Sequence, residues 1–424
     1  MLSYYIDFMR NNLFKNLLAT YDTWKELESY LESEEGGLFR VVDRKKHLCT
    51  IRYQKGVSNM NLPHSNWFRS VVWNTVTNRP VCVAPPKASN SPFPYTLEDA
   101  RKAGVKCQEH LDGFMINCFR MHNDKELYIT SRSKLDAAGH FYSNKSFRQL
   151  FAEAYLNCTF DTMEEMEESL QKCSTWMDTP NHLKNEVAVF YSFLVQHTAH
   201  RIVSQITNNA VYLVHRGVVY EDGSVEMDEP HLPHVQQIPS ISLPNGAGQS
   251  TDFFTWMRQY YADKSWDFKG IVCKDVFGNR WRFQNEKYTA VKSLRGNSAS
   301  SLERFAQLYT QNLTYKYLEY FPDEAFYFSC HTVFMNNIID TLHRYYVNLH
   351  ITKEMSLNEV DKMYIPHLYA LHGIYLSSLR SEGKKLSQSD IQQYFYKQPW
   401  QRIAFLIREN QNAYFAHMEQ MISA

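Results

Sequence analysis

The spacing of hydrophobic residues changes its period twice along this chain. Near the N-terminus, Trp24, Leu27 and Leu31 repeat at helical intervals, as on one face of an amphipathic helix. This spacing predicts helices over residues 1–37. Further on, short runs rich in β-branched and aromatic residues are separated by turns that contain Gly or Pro. These runs predict an α+β body over residues 38–298.

The body is predicted to contain strands in both of its halves, with one helical segment between them. Runs of Val, Ile and aromatic residues indicate strands because such side chains fit a pleated, half-buried surface. The predicted strands are 48–53, 69–74, 80–85, 113–119, 127–132, 187–195, 210–220, 269–275 and 280–284. Residues 146–177 have helical spacing. The polar residues 221–250 are expected to form a loop.

Beyond the body the hydrophobic period is helical to the end of the chain. Ser387 with Asp390 resembles a capping box, and Pro399 suits the first turn of a last helix. One apolar face is formed by Phe334, Ile338, Leu342, Tyr345 and Leu349. An all-helical C-terminal domain is therefore predicted over residues 299–424.

Composition limits the classes of protein to which the chain can belong. The 45 basic residues balance the 45 acidic ones, so net charge does not favour general affinity for nucleic acid. No apolar run is long enough to span a membrane, and Asp7, Arg10 and Lys15 interrupt the first apolar stretch. Neither a membrane span nor a signal peptide is expected. The eight Cys contain no CxxC pair, which favours reduced thiols in the cytoplasm or nucleus.

Two pairs of histidines have the HxxH spacing of some metal sites: His197 with His200, and His231 with His234. The first pair lies at the end of a predicted strand and the second in the predicted loop. Neither position brings the two side chains together simply. A zinc site needs three or more converging ligands, so no metal site is predicted.

A series of segments in the body occurs in an order that is known from one enzyme superfamily. The segments are WFRSVVWN (67–74), RPVCVAPPKASNSPF (79–93), HLDG (110–113), ITSRSKL (129–135), FLVQHTAHRIV (193–203), KGIV (269–272) and RWRFQNEKY (280–288). In this order they resemble the motifs of covalent nucleotidyltransferases, and within them the phage-type RNA ligases that repair tRNA. HLDG lies where that family has K-x-D-G. The resemblance spans residues 38–295.

The resemblance implies a fold and a chemistry. Members of this family have an ATP-grasp-like nucleotidyltransferase body of two sheets, with the active site in the cleft between them, and often a substrate-specific C-terminal domain. Their active lysine attacks the α-phosphate of ATP and forms a phosphoramide. Carboxylates of the third and fourth motifs help to hold the nucleoside and a divalent metal such as Mg²⁺. Two lysines of the fifth motif neutralise phosphate charge.

Several side chains that perform this chemistry are replaced here. By the resemblance, His110 occupies the position of the nucleophilic lysine, Leu194 that of the third-motif carboxylate and Lys269 that of the fourth-motif carboxylate. The two fifth-motif lysines correspond to Arg282, which keeps the charge, and Gln284, which loses it. A site that exchanges two carboxylates for a leucine and a lysine is expected to bind Mg²⁺ poorly.

Other side chains of the family pattern are kept. Asp112 and Gly113 still follow the nucleophile position, and Lys274 follows the fourth motif. The resemblance also places cations near phosphate at Arg69, Lys87, Arg132, Lys269 and Arg282. A pocket with this many cations is expected to hold an anion, such as a nucleotide or an RNA phosphate, without a metal.

Two functions are compatible with this combination. The first is a catalytically degenerate RNA-ligase-like protein that is retained for binding or for a structural role, with a protein partner on its helical domain. Degenerate members resembling it occur in large DNA viruses of eukaryotes, which suggests a virion component or an RNA-binding accessory inside a host cell. The second is an active nucleotidyltransferase in which His110, with Asp112 beside it, carries AMP. ATP and Mg²⁺ are cofactors only in that case.

Overall fold

The computed structural model describes residues 13–89, 91–122, 124, 126–174, 185–232, 235–244, 252–276 and 278–423. It is a mixed α+β protein with several antiparallel sheets and a helical C-terminal region. The chain divides into two compact units, Met1–Thr289 and Ala290–Ala424. The first helices belong to the first unit, and the division falls before the boundary expected between residues 298 and 299.

Among its described residues, the first unit has a strand in each of the nine segments that were predicted as strands, and five further strands that were not predicted. Together they are β1 (Arg40–Lys45), β2 (Leu48–Arg52), β3 (Val71–Asn74), β4 (Arg79–Val83), β5 (Lys106–Glu109), β6 (Phe114–Met121), β7 (Tyr128–Thr130), β8 (Glu186–Gln196), β9 (Ala210–Tyr220), β10 (Val225–Asp228), β11 (Gln236–Gln237), β12 (Ser240–Ile241), β13 (Gly270–Lys274) and β14 (Arg280–Gln284). β6 and β7, which follow each other in the chain, pair antiparallel.

Helices flank these strands. They are α1 (Leu13–Thr20), α2 (Trp24–Glu32), α3 (Leu97–Lys102), α4 (Phe147–Leu156), α5 (Met163–Cys173), α6 (Phe253–Ala262) and α7 (Glu286–Arg295). Thr23 and Glu26 form a capping box that starts α2, because each side chain satisfies a backbone N–H of the other. Residues 1–12 of the predicted N-terminal helices, and residues 175–177 of the predicted helical segment, lie outside the described residues.

In the described part of the chain the strands form three sheets, whereas two were predicted. The first sheet has the order β1-β2-β3-β4. The central sheet has the order β10-β9-β8-β6-β7, with β11 paired to β9, and the third has the order β12-β5-β13-β14. The extra sheet arises because β1 to β4 are consecutive strands that pair only with one another.

The predicted loop over residues 221–250 is partly wrong, because it contributes β10, β11 and β12. These strands are only two to four residues long. VEMD alternates apolar and polar residues over only four positions, and QQ and SI are too short to show any period. They form because longer strands offer free edges: β10 and β11 pair with β9, and β12 pairs with β5.

The central sheet is covered on both faces. On one face Phe119 and Phe190 pack with Trp73 and other residues of the first sheet. On the other face Phe193 packs with Leu150 and residues of α4 and α5. Met115 and Phe119 lie four residues apart on β6, so they point to the same face of the sheet. The face that packs on the first sheet therefore continues toward the third sheet, where a cleft lies.

The second unit is helical throughout its described residues, as predicted for the C-terminal region. After α7 it contains α8 (Ser301–Thr310), α9 (Thr314–Tyr320), α10 (Ala325–Tyr346), α11 (Ile365–Ile374), α12 (Gln388–Tyr396) and α13 (Trp400–Ser423), with short 3₁₀ and π-helical turns at Pro322–Glu324, Val347–Ile351, Leu357–Glu359 and Tyr375–Leu379. The capping box of Ser387 and Asp390 is confirmed. No helix among the described residues is long and apolar enough to cross a membrane.

Candidate anion-binding site

The segment between β5 and β6 connects the third sheet to the central sheet. It contains His110, Asp112 and Gly113. The backbone N–H of His110 donates to the carbonyl of Gly270, at an N–O distance of 2.9 Å. Gly113 has a φ of +153°, and a Cβ at this position would overlap the carbonyl oxygen of Val195 on β8. The segment is therefore held close to both sheets, and only glycine fits at its end.

A cavity of about 260 Å³ opens between the two sheets at this segment. The structure brings together most of the cleft residues that the sequence predicted. The cavity is lined by Arg69, Lys87, His110, Gly113, Arg132, Leu194, Lys269 and Arg282. These residues come from separate parts of the chain, so their convergence is a tertiary feature.

The cavity is strongly cationic. Among the described residues, the guanidinium groups of Arg69 and Arg282 have no ion pair with a carboxylate. Arg132 lies over the ring of Tyr53, at 4.8 Å from its centroid. Burial lowers the pKa of Arg69, and the nearby charges of Arg132 and Arg282 lower it further. Such crowding of like charges favours the binding of an anion.

Arg280 is a cavity residue that the sequence analysis missed. It lines the same cavity, and its Nε is buried without a hydrogen-bond partner. Gln284 was assigned to the fifth motif instead, but it does not line the cavity and lies opposite Gly270 at the end of β14. Arg280, Arg282 and Gln284 share one face of the strand, since side chains alternate along it. The alternation of side chains along β14 could by itself have suggested Arg280 and Arg282 as the two basic residues of this strand that line the cavity.

Asp112 is engaged in internal contacts. Its carboxylate accepts hydrogen bonds from the hydroxyl of Tyr288 at 2.8 Å and from the backbone N–H groups of Val203 at 3.0 Å and Ser204 at 3.1 Å. Lys269 lies 3.3 Å from the same carboxylate. Asp112 lines a neighbouring cavity, which His110 also lines, but it does not line the cleft cavity. It thus fixes the segment between the sheets.

Lys269 connects this buried carboxylate to the cavity. Its Nζ donates to the carbonyl of Leu111 at 3.1 Å and forms the ion pair with Asp112. The lysine therefore occupies the space beside the segment that holds His110. The resemblance to RNA ligases implies a carboxylate at this position, whereas this chain has a cation there. Leu194, at the other carboxylate position, offers no side-chain oxygen. Among the described residues that line the cavity, Glu109 is the one carboxylate, which is fewer than the oxygen ligands that a divalent metal takes, so the residues present fit such a metal poorly.

The surroundings of His110 favour the uncharged form of its imidazole. Burial lowers the pKa of His110 well below its usual value, and the charges of Lys269, Arg282, Arg280 and Arg69 lower it further. Nδ1 of this ring is buried and has no hydrogen-bond partner. The cavity thus contains one uncharged nitrogen ligand or nucleophile among several cations.

Other candidates lie elsewhere in the structure. Lys274 was predicted to join the cleft, but its Nζ lies 2.7 Å from Glu229 and it lines a different cavity. It lies farther along β13 than Val272, which lines the cleft. His197 donates from Nε2 to Glu153 at 3.0 Å, and its Nδ1 accepts the N–H of Ala199. This histidine is therefore structural.

Of the second histidine pair, His234 lies outside the described residues. Within the described part of the chain, no cluster of three or more His, Cys, Asp or Glu side chains could hold a metal ion. The chain matches no family model and no curated protein.

Proposed function

We propose that this protein is a catalytically degenerate member of the RNA ligase superfamily that binds a phosphate-bearing ligand, a nucleotide or an RNA end, without a divalent metal. The observation that carries the proposal is the cavity in which Arg69, Arg280 and Arg282 converge without carboxylate partners among the described residues. A phosphate group would neutralise these charges and would accept several charge-assisted hydrogen bonds.

The nucleotidyltransferase fold is part of this proposal. It is supported by the position of the HLDG segment between two antiparallel sheets, with the fourth- and fifth-motif segments on adjacent strands β13 and β14. The replacement of carboxylates by Leu194 and Lys269 supports the absence of metal-dependent catalysis. A cation at position 269 can itself neutralise ligand charge.

Replacing Arg282 with glutamine should weaken the binding of ATP and pyrophosphate about tenfold, because it removes one charge-assisted contact. The side chain of Arg282 is exposed, so the substitution should leave the fold intact. Binding is measured by calorimetric titration in the presence of EDTA, at about 50 mM and about 500 mM salt, since charge-driven contacts weaken with ionic strength.

Arg101→Gln is the matched control, because Arg101 is exposed on α3 and lines neither this cavity nor its neighbours. It removes the same charge and should leave the affinity unchanged. Short RNA with a 5′-phosphate is titrated beside ATP to separate the two ligand classes. Equal affinity of the Arg282 and Arg101 variants for all of these ligands would exclude the cleft as the binding site.

The alternative function is an active nucleotidyltransferase, and the buried, unpartnered Nδ1 of His110 favours it. In that reaction the imidazole nitrogen attacks the α-phosphorus of ATP, a nitrogen–phosphorus bond forms, and pyrophosphate leaves. The neutral ring is competent for attack. Because Leu194 and Lys269 stand at the two positions where the resemblance implies carboxylates, the transition state lacks the charge stabilisation that those carboxylates and their metal would supply.

We expect no covalent adduct when the protein is incubated with α-³²P-labelled ATP and Mg²⁺. The measurement is radioactivity that stays with the denatured protein. Lys106→Ala serves as a control, because Lys106 lines a different cavity. Label on the wild type and on the Lys106 variant, but not on His110→Ala, would establish the alternative function.

A further inference from the structure

A second and larger cavity, of about 540 Å³, lies on the other side of Arg280. It is bounded by β5, β13 and β14 of the third sheet, by β9 and β10 of the central sheet, and by the loop that carries Trp67. It shares only Pro86, Val214 and Arg280 with the cleft cavity. The two spaces are therefore neighbours with largely different walls.

Three cations form a row along one wall of this second cavity. Lys106 on β5 is the register partner of Lys274 on β13, and Lys274 is the register partner of Arg280 on β14. Residues that face each other on neighbouring strands have their Cβ atoms about 5 Å apart, and like charges in such pairs are destabilising. The sheet therefore places three positive charges side by side, an arrangement that an anion would relieve.

Three acidic residues also line this cavity, and each is engaged by a protein group, one of them by the middle cation of the row. Asp228 pairs with Arg216 at 3.1 Å. Asp275 is buried and accepts hydrogen bonds from the backbone N–H and the side-chain amide of Asn279, both at 2.7 Å. Glu229 pairs with Lys274 at 2.7 Å.

The two ends of the cation row are consequently left without a carboxylate. Within the described part of the chain, neither Lys106 nor Arg280 has an ion pair. Arg280 also has a buried Nε without an acceptor. An anion that enters this cavity would find two cations that no protein carboxylate neutralises directly.

Apolar side chains also line this cavity. Trp67, Val225 and Met227 line it, and Trp67 and Met227 are half-buried. An aromatic or aliphatic group of a ligand could pack on these side chains while its anionic group faces the third sheet. The combination is typical of sites for small organic molecules, which have apolar walls and a few convergent polar groups.

We propose that this cavity is a second anion site that binds a small phosphate ester. Its phosphate lies against Lys106, Lys274 and Arg280, and its apolar or aromatic body packs on Trp67 and Met227. The site does not depend on the ligand-binding function proposed for the cleft, because Lys106 lines only the second cavity and Arg282 lines only the first.

Phenyl phosphate is the probe for this site, titrated by calorimetry at low salt with EDTA. Lys106→Gln should weaken its binding about tenfold, since one charge-assisted contact is lost, and Lys106→Arg should restore most of the affinity. Lys106 is exposed, so the glutamine variant should keep the melting temperature of the wild type. Inorganic phosphate should bind about tenfold more weakly than phenyl phosphate, because it lacks the group that packs on Trp67.

Acetylation of lysines, followed by peptide mass spectrometry, locates the bound probe. Saturating phenyl phosphate should protect Lys106 from acetylation in the wild type and equally in Arg282→Gln. Unchanged acetylation of Lys106 with bound probe, or loss of binding in Arg282→Gln but not in Lys106→Gln, would overturn the second site. The same would follow from absence of binding. None of these outcomes bears on the ATP and pyrophosphate titrations of the cleft.

Discussion

Replacing Asp112 with alanine is expected to lower the free energy of unfolding by about 3–5 kcal/mol, the range found when one partner of a buried ion pair is removed. The substitution leaves the hydroxyl of Tyr288 and two backbone N–H groups without their acceptor. It also leaves the ammonium of Lys269 beside a cavity that already holds several cations. Denaturant unfolding followed by circular dichroism measures the loss.

The contribution of Asp112 to the free energy of unfolding depends on pH. Burial by itself raises the pKa of Asp112, but Lys269 and the hydrogen bonds from Tyr288, Val203 and Ser204 outweigh burial, so the pKa is lowered. A group with a lowered folded pKa stabilises the protein above its unfolded pKa, about 3.9 for aspartate, and loses that effect as the pH falls through the folded value. The wild type should therefore lose more stability below about pH 4 than Asp112→Asn does.

Asp263→Ala is the matched control for Asp112→Ala. Asp263 is exposed at the C-terminal end of α6, and exposed substitutions usually change stability by no more than about 0.5 kcal/mol. If Asp112→Ala unfolds at the same denaturant concentration as Asp263→Ala, the buried network around Asp112 does not hold the two sheets together.

Replacing Glu324 with alanine should destabilise the helical unit to a similar extent, about 3–5 kcal/mol. Its carboxylate lies between two buried guanidinium groups. Nη1 of Arg304 donates to both carboxylate oxygens, at 2.8 and 2.6 Å, and Arg295 pairs with the same carboxylate. The hydroxyl of Tyr317 also contacts Arg295. Without Glu324, two positive charges would face each other in a buried site.

Hydrogen exchange of the whole protein locates this effect. Backbone amides in α8 and α10 should exchange faster in Glu324→Ala than in the wild type, because these helices carry Arg304 and begin next to Glu324. Glu319→Ala is the control, since Glu319 is exposed on α9 of the same unit. Equal protection in the two variants would mean that the two arginines are stabilised by other groups.

The sequence by itself determined the helices and strands of this protein wherever the hydrophobic pattern was strong. β8 and β9 have long runs of β-branched and aromatic residues because both faces of the central sheet are buried. The start of α12 was predictable, because the capping box of Ser387 and Asp390 is a local interaction. The cations of the cleft were predictable only through the resemblance to RNA ligases, and that family assignment stays a proposal.

The tertiary structure decided what the sequence pattern could not. The short strands β11 and β12 form because neighbouring strands offer edges, which no local pattern encodes. The register of β13 and β14 places Lys274 in the lining of the second cavity. It places Arg280 where the side chain lines both the cleft cavity and the second cavity. These placements depend on which residues face each other across separate strands. Pairing between distant segments is a property of the folded chain, whereas period and capping are properties of neighbours in the sequence.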